Sequence, residues 1–125
     1  VSGVQIPLAV GQEFQGPGGG SNPEELLASA IAGCYVMTFG IIAANRKIPV
    51  TKLTAKVIGE VEHNGPQITY KGVVIKPEIV LASDATPEQV ALAEDMAHKA
   101  DNYCIITNAV RGKLEISVDP KITKE

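Results

Sequence analysis

The stretch LLASAIAGCYVMTFGIIAA, from Leu26 to Ala44, runs nineteen residues without a charge. By length it could cross a membrane. Its composition argues otherwise: Ala28, Ser29, Ala30, Gly33, Thr38 and Gly40 are small or weakly polar, and neither an aromatic belt nor a one-sided basic flank accompanies them. We read it as a long buried central helix, apolar on every side, whose small residues admit another helix at close range. Its start is marked by Asn22 as a cap, Pro23 at the first helical position, and Glu24 and Glu25 against the positive end of the dipole. The preceding Gly16-Pro17-Gly18-Gly19-Gly20-Ser21 is a flexible breaker. It lacks the strand context and the GK[ST] ending of a nucleotide loop.

Working outward, Val1 to Val10 alternates, with Val4, Ile6, Leu8 and Val10 on one face. This predicts a half-buried strand, which Pro7 assigns to a sheet edge. After Asn45-Arg46-Lys47, Pro49 opens a strand with Leu53, Ala55, Val57, Gly59 and Val61 on one side. His63-Asn64-Gly65-Pro66 supplies a turn. A second long strand follows from about Ile68 to Leu81, with Val73, Ile75, Ile79 and Leu81 aligned, completing an antiparallel hairpin. Thr86-Pro87-Glu88-Gln89 is a capping box opening an amphipathic helix to about Ala100, with Val90, Ala93, Ala97 and Ala100 inward. A short helix then has Cys104 at its N-terminus and Gly112 as its stop, and Leu114, Ile116 and Val118 alternate as a last strand. The order predicts a single α+β domain over residues 1–125 with a mostly antiparallel sheet.

Composition bounds the function. The 125 residues suit one domain, and 45% apolar content supplies a core. Aromatics make up only 4%, with no Trp, so a base-stacking surface is not expected. A net charge of −3 and a pI of about 5.4 argue against phosphate binding, and we expect no nucleic-acid partner and no membrane. The sequence opens at Val1 with no basic and apolar leader pattern, so no secretory signal is read, and without an initiator Met it is compatible with starting inside a longer chain. Two cysteines, Cys34 and Cys104, are too few and too distant for a zinc ribbon or a CxxC site. We therefore expect a reducing, cytoplasmic setting, in which paired thiols are chemical more often than structural.

Three linked features carry a resemblance. They are Gly20-Ser21-Asn22-Pro23-Glu24-Glu25-Leu26-Leu27, then Ala32-Gly33-Cys34, and finally Cys104-Ile105-Ile106-Thr107-Asn108-Ala109-Val110-Arg111-Gly112. In this order and spacing the chain resembles the OsmC/Ohr family of osmotically induced and organic hydroperoxide resistance proteins. The resemblance implies an intertwined homodimer and a thiol peroxidase that needs neither metal nor cofactor and acts in the oxidative stress response. It implies that Cys34 attacks an organic hydroperoxide or hydrogen peroxide, that Cys104 closes a disulfide with it, and that Glu24 organises the site. A dithiol reductant, lipoyl or thioredoxin-like, would reopen the disulfide. The alternatives are a non-catalytic binder of a small apolar molecule and a redox-sensing dithiol.

The residues can be tested against that chemistry. Peroxide cleavage needs a thiolate, and burial among Leu and Ile opposes one, so Cys34 requires a nearby cation or hydrogen-bond donors. A sulfenic acid at Cys34 would be protected from further oxidation by condensation with Cys104. Glu24 lies ten residues before Cys34. On one helix that is roughly 15 Å along the axis and about 80° around it, so Glu24 could reach a cysteine only from an antiparallel second copy. The family's N-terminal Arg partner of that Glu has no counterpart, since no Arg precedes Arg46. Arg111 reads as structural, pairing with an acid at a helix end. His63, in a turn, and His98, on an amphipathic helix, read as surface residues, because no ligand spacing joins them to the cysteines. No Ser-His-Asp or paired-carboxylate pattern stands out.

Overall fold

The computed structural model describes residues 2–125. Asn22 caps helix α1 (Pro23–Asn45), its side-chain oxygen accepting from the Glu25 N–H at 2.9 Å. Pro23 follows at the first position, where its missing N–H leaves no bond unmade. The helix ends at Arg46 and Lys47, the latter in the left-handed region, before Ile48-Pro49 turns the chain. Two fifteen-residue strands follow, β1 (Val50–Asn64) and β2 (Gln67–Leu81), paired antiparallel through the Asn64–Gln67 turn. His63 thus belongs to the end of β1 rather than to a turn, because the ladder runs as far as Asn64.

The capping box holds as read. Thr86 and Gln89 exchange side chain-to-backbone bonds at 2.9 and 3.2 Å and open α2 (Pro87–Lys99). A 3₁₀ turn (Ala100–Tyr103) leads to the short α3 (Ile105–Val110), and the chain finishes in β3 (Glu115–Val118) and β4 (Lys121–Lys124).

Both last strands pair parallel with β2, so the sheet is mixed, while its long β1–β2 ladder is antiparallel as expected. They keep one register: Ile75 opposite Val118, then Glu78 opposite Lys121. The interruption falls where Pro77 of β2 meets Pro120, two residues with no N–H to give the ladder. Gly72 admits β3, since the carbonyl oxygen of Glu115 lies where a side chain would begin. The sheet order is β1-β2-β3, with β4 continuing beside β2.

The core lies between α1, the inner face of β2 and α2. Ile31, Tyr35 and Phe39 meet Val73, Ile75, Ile79 and Leu81, with Ala93, Ala97 and Ala100 closing the far side. Tyr35 and Phe39 stack at 6.3 Å, and the Tyr35 hydroxyl donates to the Ala97 carbonyl at 2.6 Å, tying α1 to α2.

Two expectations are corrected here. Helix α1 is not buried all round: Ala28, Ile31, Ala32, Tyr35, Phe39 and Ala43 face the core, while Met37 and Ile41 on the opposite face are 72% and 64% exposed. Uniform apolarity hides which side has a partner within the chain. The expected first strand does not form either. Val1 lies outside the described residues, and Val4, Ile6, Leu8 and Val10 are each more than half exposed. The segment makes one isolated bridge, Leu8 to Ser21, through bonds of Ala9 N–H to Ser21 O and Ser21 N–H to Pro7 O. Alternation prepares a face for burial, but a strand also needs a neighbour to pair with. Among the described residues the segment finds only its own glycine loop.

Candidate active site

Cys34 sits midway along α1, half-buried and one residue from the core-facing Tyr35. Cys104 is fully buried and caps α3, its sulfur accepting from the Thr107 N–H at 3.4 Å. Packing of α1 against α3 and the 3₁₀ turn brings the two thiols, seventy positions apart in the chain, close enough to act on each other's ionisation.

Their electrostatics diverge. Burial pushes the Cys34 thiol up, but the Cys104 S–H, the Ile106 N–H, the Thr38 hydroxyl and the Ile105 N–H outweigh it and hold Cys34 below the ordinary thiol value. All four are neutral donors, and no cationic side chain acts on this sulfur among the described residues. Cys104 moves the other way. Burial raises it, and so does donating to Cys34, while Thr107 pulls against both. One thiol is thereby prepared to ionise, with its neighbour as donor.

The loop holding Cys104 is braced on both sides. Arg111 pairs with Asp101 (3.3 Å), donates to the Asp101 carbonyl (3.2 Å) and to the Asn108 side chain (3.2 Å). Asn108 in turn donates to the Asn102 carbonyl at 2.9 Å. Arg111 is therefore a clamp across α3 and the preceding turn, as its reading as a structural residue anticipated.

Glu24 is elsewhere. It lies in the first turn of the same unbroken helix as Cys34, beside a cleft of about 570 Å³ lined also by Glu13, Phe14, Glu25, His63 and Tyr70. Neither cysteine lines that cleft. Tyr70 donates to the Glu24 carbonyl at 3.3 Å, and burial and the Glu24 charge push the pKa of its hydroxyl up. Its ring also stands over Gly59, where a side chain would collide with it. His63 packs against Phe14 with ring centres 6.1 Å apart, and His98 is exposed on α2. Within one chain, then, Cys34 and Cys104 come together and Glu24 does not join them.

Two side chains on the sulfurs were not singled out from sequence. Thr38 stands one helical turn after Cys34, so the i, i+4 spacing carried the signal. Thr107 lies three residues after Cys104 at the third position of α3, the place from which a helix N–H returns to its cap.

Comparison with known proteins adds the context. The OsmC-like protein family profile matches residues 16–119. The uncharacterized protein YmaD of Bacillus subtilis is 31% identical over 122 residues, covering 98% of this chain and 79% of that protein. The organic hydroperoxide resistance protein of Xanthomonas axonopodis pv. citri is 29% identical over 117 residues, covering 92% and 78% respectively. Among solved structures, an organic hydroperoxide resistance protein OsmC from Legionella pneumophila superimposes with a TM-score of 0.76 at 23% identity, over 98% of this chain and 82% of that one. The mixed α+β fold with its open sheet is the one these relatives share, and the chain belongs to the OsmC-like family.

Proposed function

We propose that this chain is a thiol-dependent peroxide reductase. The observation that carries the reading is the pairing of a half-exposed, acid-shifted Cys34 with a buried, base-shifted Cys104. The Cys34 thiolate attacks one peroxide oxygen, the O–O bond breaks, and the other oxygen leaves with a proton as an alcohol, or as water from hydrogen peroxide. Cys34 is left as a sulfenic acid. Cys104 attacks that sulfur, water departs with its hydroxyl, and a disulfide remains. A dithiol reductant of a reducing compartment such as the cytoplasm restores both thiols. The kinship with proteins named for organic hydroperoxide resistance supports the substrate class.

Glu24 enters the reaction from a second copy. The unbroken helix puts roughly 15 Å between Glu24 and the cysteine of its own chain. The exposed Met37 and Ile41 face is where an antiparallel copy of α1 would pack, carrying its Glu24 toward Cys34. One observation favours a second reading, a redox sensor. Cys104 caps α3, so oxidation would withdraw the cap and loosen that helix.

The decisive experiment follows loss of cumene hydroperoxide with excess dihydrolipoamide. The parent should turn over many times and Cys34→Ser not at all. Equal rates would remove Cys34 from the chemistry, and a single stoichiometric reaction without turnover would favour the sensor.

A further inference from the structure

Thr107 is fully buried, and its hydroxyl has no conventional hydrogen-bond partner among the described residues. The backbone N–H of the same residue addresses the Cys104 sulfur at 3.4 Å. A neutral thiol is a weak acceptor, so this hydroxyl is poorly satisfied in the reduced resting state. A thiolate is a strong acceptor, and a buried donor without a partner gains most when one appears. Resting on the peroxidase reading, we propose that Thr107 is the positioning residue of Cys104: N–H and hydroxyl together hold its sulfur toward Cys34 and stabilise it as the thiolate that closes the disulfide.

The arrangement separates the two steps of the cycle. While Cys34 is the nucleophile, Cys104 serves it as a donor and stays protonated, as burial favours. Once Cys34 has become a sulfenic acid, Cys104 must give up its proton and attack. No cation stands ready among the groups acting on Cys104, and burial opposes the change. Thr107 is the group positioned to assist, because its N–H already holds that sulfur and its buried hydroxyl has no other partner among the described residues. The hydroxyl moves no atom of the reaction; it lowers the cost of charge on its neighbour.

The test compares Thr107→Val, which keeps the shape and the backbone N–H but loses the hydroxyl, with Thr107→Ser, which restores it. In a Cys34→Ser background Cys104 is the sole thiol, and thiolate absorbance at 240 nm reports its ionisation directly. Thr107→Val should need a higher pH to ionise, with roughly tenfold less thiolate at neutral pH, and Thr107→Ser should return to the parent curve. In the two-cysteine protein, peroxide followed by timed alkylation and mass analysis reads disulfide closure. A more basic thiolate is intrinsically the better nucleophile, so Thr107→Val should close roughly threefold to fourfold more slowly at pH 7 and about threefold faster at high pH. A purely structural role would not make the two profiles cross. Coincident titration curves for the parent and Thr107→Val would overturn the proposal. If peroxide yields no disulfide in the parent, the peroxidase reading fails while the titration still judges Thr107.

Discussion

Removing the Cys104 sulfur should disarm Cys34 even in a reaction that forms no disulfide. The Cys104 S–H is the strongest of the four donors holding Cys34 below the ordinary thiol value. A hydrogen bond to a charged group contributes about 1.5–3 kcal/mol when its donor is nitrogen or oxygen, and S–H is the weaker donor. A loss of about 0.5–1.5 kcal/mol is therefore expected in Cys104→Ala, a two- to tenfold fall in Cys34 thiolate at any pH below its midpoint. The sign follows from the balance at Cys34, since a donor to the anion is lost while the burial that opposes ionisation remains. The assay is the pH dependence of Cys34 alkylation by iodoacetamide, quantified by peptide mass. Cys104→Ser keeps a donor at the same place and should stay within about twofold of the parent. Cys104→Ala also loses the α3 cap and some core volume, at about 1–2 kcal/mol, so thermal melting should accompany the assay. Identical alkylation profiles for the parent and a folded Cys104→Ala would refute the claim that Cys104 prepares Cys34.

Further outcomes follow from the same structure. Tyr35→Phe strands the Ala97 carbonyl that the hydroxyl reaches at 2.6 Å, and should cost about 1–3 kcal/mol by denaturant melting. Because burial and then Asp101 push the pKa of the Tyr35 hydroxyl up, the folded state keeps it neutral where the unfolded chain ionises. Parent stability should therefore fall as pH rises above about 10, and Tyr35→Phe should lose less over that window. Met37→Glu with Ile41→Glu places charge on the uncovered face of α1. Sedimentation should show a folded monomer, and peroxide turnover should drop with dimerisation; a retained dimer would move the interface elsewhere.

Much of this fold could be read from residues whose local chemistry acts within a few positions. Asn22-Pro23-Glu24-Glu25 and Thr86-Pro87-Glu88-Gln89 start helices by bonds spanning three residues, and both starts form as expected. The β1–β2 hairpin was legible because alternation and the Asn64-Gly65-Pro66 turn agree. What failed depends on partners that local pattern does not name. The alternating Val4, Ile6, Leu8 and Val10 lack a neighbouring strand, and the uniformly apolar α1 gives no clue to which face the chain itself covers. The break between β3 and β4 was present in Pro77 and Pro120, but only their juxtaposition across the sheet makes it matter. The cysteine pair is the extreme case. No periodicity links positions 34 and 104, so their proximity came from motif resemblance, whereas Thr38 was recoverable from helical spacing alone. Thr107 was not, because its significance lies in burial without a partner.

One measurement bears on the whole scheme. A single equivalent of cumene hydroperoxide, added to fully reduced protein and trapped with an alkylating agent, is followed by intact mass and peptide mapping. The account predicts a protein lighter by two thiol hydrogens, unreactive to the trap, with one peptide linking Cys34 to Cys104 of the same chain. Cys34 left one oxygen heavier, as an unresolved sulfenic acid, while Cys104 stays free and alkylated would contradict it.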